Sequence, residues 1–186
     1  MERLILPEQI PTERLLMQRQ RYEDAEEIFY AYASKPEATR YVSWPTHHSI
    51  RTTRDYLQYA RSAWNLGLDY TYSMRLVETS QLVGSYGVIN ENGRIQFGYI
   101  LSPTYWNKGL ATEACRGITA LLNSLPSIHR IGTYVDCDNK ASIRVLEKCG
   151  YQQEAKLRHW MRFPNQENRA KDCWVYVWPK SNEACP

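Results

Sequence analysis

Ser102-Pro103-Thr104-Tyr105-Trp106-Asn107-Lys108-Gly109-Leu110-Ala111-Thr112-Glu113-Ala114-Cys115-Arg116 joins a strand that stops to an amphipathic helix that starts. Upstream, Ile95-Gln96-Phe97-Gly98-Tyr99-Ile100-Leu101 is a short aromatic and β-branched run closed by Ser102-Pro103, the pattern of a strand ended by a turn. Downstream, Ala114, Ile118, Leu121, Leu122 and Leu125 recur at helical spacing on one apolar face, so the helix begins near Leu110.

The first unpaired N–H groups of that helix belong to Asn107 through Thr112. Converging donors and the positive end of the helix dipole make such a terminus an anion site. Gly109 is free to take a positive φ, and Gly109 and Ala111 put no bulky side chain between backbone and ligand, as a diphosphate requires. A glycine at a helix start also serves as a plain turn, so the phosphate cradle needs further support. Neither G-x-x-x-x-G-K-[ST] nor a G-x-G-x-x-G after a strand occurs, which argues against a P-loop kinase and an ordinary dinucleotide enzyme.

Outward from the cradle, a chain of 186 residues predicts one domain that buries roughly two-thirds of its unfolded surface. We divide it into an extended N-terminal arm (1–11), one domain (12–180) and a tail (181–186). With 43% hydrophobic and 23% charged residues the composition is that of a globular chain. No apolar run approaches the ~20 residues of a membrane helix and no signal-peptide pattern opens the chain, so a cytoplasmic protein without a membrane partner is expected. Cys115, Cys137, Cys149, Cys173 and Cys185 form no C-x-x-C pair and are odd in number, which predicts free thiols rather than a metal site or a disulfide framework. A net charge of +3 with dispersed basic residues gives no reason to expect nucleic acid.

Along the chain, strands are predicted at Thr12–Gln18, Tyr70–Val77, Gln81–Ile89, Ile95–Leu101, His129–Cys137, Ala155–Phe163 and Lys171–Trp178, with a tight hairpin at Asn92-Gly93. Helices are predicted at Tyr22–Tyr32, Ile50–Leu66, from Leu110, and after Asn139, which suits a cap, to Gly150, which suits an end. Gly117 inside the third helix costs ~1 kcal/mol against alanine, best explained by a close helix-to-sheet contact. His47-His48 lacks a third ligand at helical or turn spacing, so no metal is expected.

Trp106-Asn107-Lys108-Gly109-Leu110-Ala111-Thr112-Glu113-Ala114 resembles the acetyl-coenzyme A loop of the GNAT N-acetyltransferases, [Q/R]-x-x-G-x-[G/A], in the W-x-K-G-x-A-T-E-A form of the RimJ/RimL branch of ribosomal-protein N-terminal acetyltransferases. Thr12-Glu13-Arg14-Leu15-Leu16-Met17 is similar to that branch's T-E-R-L-x-L opening, and Asn139 to Tyr151 to its N-x-x-S-x-x-x-x-E-K-x-G-[FY] segment. The resemblance covers Thr12 to Val177. It implies an α+β fold with a mixed, mostly antiparallel sheet of about seven strands, splayed between the fourth and fifth and flanked by about four helices. It also implies acetyl-CoA as co-substrate and an amine acceptor, either a protein or peptide α-amine or a small amine. A monomer and a homodimer through the closing strands both remain open.

By the same resemblance the pantetheine arm lies in the splay against the backbone of Ile100, Leu101 and Ser102, and the pyrophosphate sits on Asn107, Lys108, Gly109, Leu110, Ala111 and Thr112 beside Trp106. Trp44 and Tyr99 fall near the acceptor. Many relatives carry a tyrosine acid where this chain has Leu146; Ser142, with Asn139 holding the pantetheine, stands one turn earlier and is either the hydrogen-bond donor to sulfur or an ordinary first-turn residue. Gln96 stands where a glutamate base is common and cannot take the proton, which leaves His159, a water relay, or capture of a neutral amine. A catalytically silent acyl-CoA-binding module is the alternative reading.

Overall fold

The computed structural model describes residues 4–179. The expected tail 181–186, with Cys185, lies outside them. Eight strands, β1 (Gln9–Pro11), β2 (Leu15–Arg19), β3 (Asp69–Leu76), β4 (Leu82–Glu91), β5 (Arg94–Leu101), β6 (Arg130–Asp136), β7 (Gln152–Arg162) and β8 (Ala170–Val177), form one sheet. Their order is β1-β2-β3-β4-β5-β6-β8-β7, antiparallel throughout except where β5 meets β6. The α+β architecture expected from the resemblance is the one found, with one strand more than the seven predicted.

The added strand is β1, where Ile10 lies opposite Met17. Three residues ending in a proline carry too little alternation to read as a strand, yet they find pairing partners on the edge of β2. Thr12–Arg14, predicted as strand, is instead the turn between β1 and β2, closed by the Thr12 N–H on the Leu15 carbonyl at 2.7 Å.

Five α-helices accompany the sheet: α1 (Ala25–Ile28), α2 (Pro36–Thr39), α3 (Ile50–Leu66), α4 (Leu110–Asn123) and α5 (Lys140–Lys148). The regular helix predicted over Tyr22–Tyr32 is a composite, a 3-10 turn (Tyr22–Asp24) leading into α1 and then a π-helical turn (Phe29–Ala33). Ser34 explains the widening, since its N–H and its hydroxyl both donate to the Phe29 carbonyl, at 3.1 and 2.7 Å. Ser49 caps α3 through the Thr52 N–H, and Gly67 ends it in the left-handed region.

The helices pack on opposite faces of the sheet. Met17, Tyr86, Phe97, Ile118, Leu122 and Leu146 belong to the larger core, under α4 and α5; Ala25, Ile28, Tyr32, Leu57 and Leu82 form the smaller one, under α1–α3. A Cβ at Gly117 would meet the Thr12 methyl at 2.8 Å, so α4 lies against the β1–β2 turn as closely as the glycine implied. Among the described residues no helix is long and apolar enough to cross a membrane, four cysteines are free thiols, and no cluster of three or more potential metal ligands occurs.

Candidate active site

At the start of α4 the chain takes two left-handed residues, Asn107 (φ 60°) and Gly109 (φ 78°, ψ 0°). No side chain caps the helix, and its backbone ladder opens with the Glu113 N–H on the Gly109 carbonyl at 3.0 Å. The N–H groups of Leu110, Ala111 and Thr112 therefore point out of the helix without an acceptor among the described residues, the donor-only surface predicted for the cradle.

Two contacts fix this loop from outside. Trp106, 43% exposed, donates its indole N–H to the Leu101 carbonyl at 3.0 Å, tying the loop to the end of β5. Arg14 grips the loop from the β1–β2 turn: Nη1 donates to the Lys108 carbonyl at 3.0 Å and Nε to Glu113 Oε2 at 2.7 Å. Glu113 also accepts from the Thr12 hydroxyl at 2.6 Å and the Arg14 N–H at 2.7 Å. Burial raises the Glu113 pKa, but these donors outweigh it and hold the carboxyl below its ordinary value of 4.5. The charge of Lys108 lies over the Tyr105 ring at 5.1 Å.

β5 and β6 are in register at Arg94, Ile95 and Gln96 and then part, which places the splay where the resemblance put it. Thr133 of β6 marks the fork, its hydroxyl donating to the Phe97 carbonyl at 2.6 Å. Backbone direction along β5 corrects one expectation. The Ser102 N–H donates to Val83 of β4 at 2.9 Å, while the carbonyls of Gly93, Phe97 and Leu101 accept bonds from the other side. An antiparallel strand alternates, so Ile100 and Ser102 spend their backbone groups on β4, whereas Tyr99 and Leu101 turn theirs to the splay.

Inside the splay the structure brings together Tyr99, Ser142 and Asn139. The Tyr99 hydroxyl lies 2.8 Å from Ser142 Oγ, and Asn139 Oδ1 accepts the Ser142 N–H at 3.1 Å as the cap of α5. Burial pushes the Tyr99 phenol well above its ordinary pKa, which leaves it a hydrogen-bond donor at every physiological pH. Leu146 is fully buried in the core and brings no hydroxyl to the splay. Tyr99 thus faces α5 and the fork rather than the opposite face of the sheet.

That opposite face, under α3, carries the other expected residues. Trp44 is half-buried with its ring 5.0 Å from that of His47, and its carbonyl accepts from Asn165 at 2.9 Å. His47 is buried, bonded through Nδ1 to the Thr53 hydroxyl at 2.8 Å, and its pKa is lowered by burial and then by His48. His159 is not brought to Tyr99 and Ser142. It sits exposed at a bulge in outer strand β7, with β8 and β6 between it and β5, and its N–H donates to Asp172 at 3.0 Å.

Two residues outside the sequence assignments line these surfaces. Arg14 was visible only as part of a family landmark, because its contact with Lys108 joins segments 94 residues apart. Asp69 reads in sequence as a polar residue after a helix; the sheet register sets it on the face under α3.

The acetyltransferase (GNAT) domain family matches residues 14–152, and the chain belongs to that family. The uncharacterized N-acetyltransferase p20 of Bacillus licheniformis is 30% identical over 156 residues, covering 82% of this chain and 87% of its own. Spermidine N(1)-acetyltransferase of Escherichia coli is 31% identical over 87 residues, 44% of each chain. Among solved structures, the fold is similar to that of RimL, the ribosomal L7/L12 α-N-protein acetyltransferase crystallised with coenzyme A, with a TM-score of 0.83 at 16% identity, covering 92% of this chain and 97% of that one.

Proposed function

We propose that this protein transfers the acetyl group of acetyl-CoA to a primary amine by direct attack, the acceptor being a protein or peptide α-amine or a small amine. The observation that carries the reading is the pairing of two surfaces: a helix end bearing only donors, and a sheet that parts beside it with the Tyr99 backbone groups and the Leu101 N–H turned toward the gap. The diphosphate belongs on Leu110, Ala111 and Thr112. The pantetheine amides pair with Tyr99 and Leu101 as an added strand would, which sets the thioester beside Ser142 and Tyr99.

The amine lone pair attacks the thioester carbon, and the tetrahedral adduct collapses with breakage of the C–S bond. The leaving thiolate is held by the Ser142 hydroxyl, itself oriented by Tyr99, and is protonated from water. With Gln96 in place of a carboxylate, the amine proton also passes to water. The amine reaches the thioester from the opposite face of the sheet, which is open above Gly98, where a Cβ would meet no atom within 4 Å.

The test is competition. A peptide with a free α-amine and a small diamine are offered together with acetyl-CoA, and acetylated products are resolved by mass. Acetylation of either supports the transferase and ranks the acceptors. Tight acetyl-CoA binding with no product from any amine supports the silent acyl-CoA module instead.

A further inference from the structure

Asp69 is a carboxylate without a counter-charge on the face an acceptor must cross. It accepts one neutral hydrogen bond, from the Thr71 hydroxyl at 3.2 Å, and makes no ion pair among the described residues. The Tyr56 hydroxyl of α3 lies 3.4 Å from that same Thr71 oxygen, so the carboxylate sits under the helix rather than in bulk water. Burial raises its pKa, the cost of a charge that lacks a cation.

Register shows what lies beyond it. Asp69 of β3 is aligned with Ile89 of β4, Ile89 with Gln96 of β5, and Gln96 with Gly132 of β6. The next row on the same face is Thr71, Gly87 and Gly98. Ile89 is 40% exposed, and a Cβ at Gly87 would meet only the Gly98 carbonyl, at 4.0 Å. These positions form two adjacent rows on one face of the sheet, running across the strands toward the fork. The far end carries Tyr134 and the half-exposed Trp160, their rings 5.3 Å apart.

We propose that Asp69 is a specificity-determining residue that binds a second ammonium group of the acceptor, so that the preferred substrate is a linear di- or polyamine laid along these rows. The inference rests on the transferase reading for its reacting end. Two strand spacings separate β3 from β5, so the bound and reacting nitrogens are held roughly 10 Å apart. A monoamine of equal length fills the same floor but leaves the carboxylate unpaired.

The experiment titrates the full chain, with CoA present, against α,ω-diamines of increasing length and the matching alkyl monoamines, and measures kcat/KM for each in parallel with acetyl-CoA. Wild type is expected to favour diamines at least 10-fold with a length optimum. Asp69→Asn is expected to remove that preference while leaving monoamines within about twofold, and Asp69→Glu to restore it at a shorter optimal length. Equal treatment of diamines and monoamines by wild type, or a preference that survives in Asp69→Asn, overturns the assignment. Asp69-dependent diamine binding without acetyl transfer sustains the assignment and removes the transferase reading.

Discussion

Replacing Gly109 by valine separates the cradle from the stability of the fold. At φ 78° and ψ 0° any L-residue pays about 1–2 kcal/mol, and a β-branched one falls at the upper end. Space adds little to that, because the nearest atom to the new Cβ is Arg14 Nη2 at 3.5 Å, an ordinary contact. For a chain of this size the loss lowers Tm by about 2–8 °C, which a domain stable by roughly 5–15 kcal/mol survives. Binding suffers more. The added methyls occupy the approach to the Leu110 and Ala111 N–H groups, and two lost charge-assisted hydrogen bonds at ~1.5–3 kcal/mol each weaken acetyl-CoA by about 10²–10⁴-fold. Calorimetric titration of both proteins, each checked by thermal unfolding, reads the two effects separately. A folded variant that binds within about threefold of wild type refutes the phosphate assignment.

Other expectations follow from the same contacts. Tyr99→Phe and Ser142→Ala should each lower kcat about 10-fold or more with little change in KM for acetyl-CoA, and the double variant should lose less than the two combined, as for groups acting through one hydrogen bond; unaltered kcat in Ser142→Ala removes its role. Arg14→Gln frees the Lys108 carbonyl and leaves the Glu113 charge uncancelled beside the cradle, so acetyl-CoA affinity should fall about 10-fold and recover in part when Glu113→Gln is added. Because the folded-state pKa of Glu113 is depressed, its stabilising effect is complete above the ordinary value of 4.5 and fades as pH falls through the lower folded value. Denaturant unfolding of wild type and Glu113→Gln from about pH 7 to about pH 3 should therefore show a gap that closes on acidification; a constant gap contradicts the ion pair.

What could be read from the chain depended on whether the signal was local. α3 runs from Ile50 to Leu66 as predicted because its cap, periodicity and terminal glycine are all within the segment. The Asn92-Gly93 hairpin and the start of α4 at Leu110 were legible for the same reason. β1 was not, since its strand character comes from β2. The side to which Ile100 and Ser102 turn their backbone groups was not legible, because it is decided by the Ser102–Val83 bond to another strand. Ser142 was visible as a cap-proximal residue, but its pairing with Tyr99 joins β5 to α5 across 43 positions. Arg14 and Asp69 are the same kind of omission. Each is an unremarkable polar residue until the sheet sets it beside its neighbours.

The most direct test of the transferase reading is CoA thiol release from acetyl-CoA, followed with and without a primary amine. Release that requires the amine, saturates in both substrates and is lost in Gly109→Val is the expected result. Thiol release that is indifferent to every amine offered, or absent from protein that binds acetyl-CoA, would contradict it.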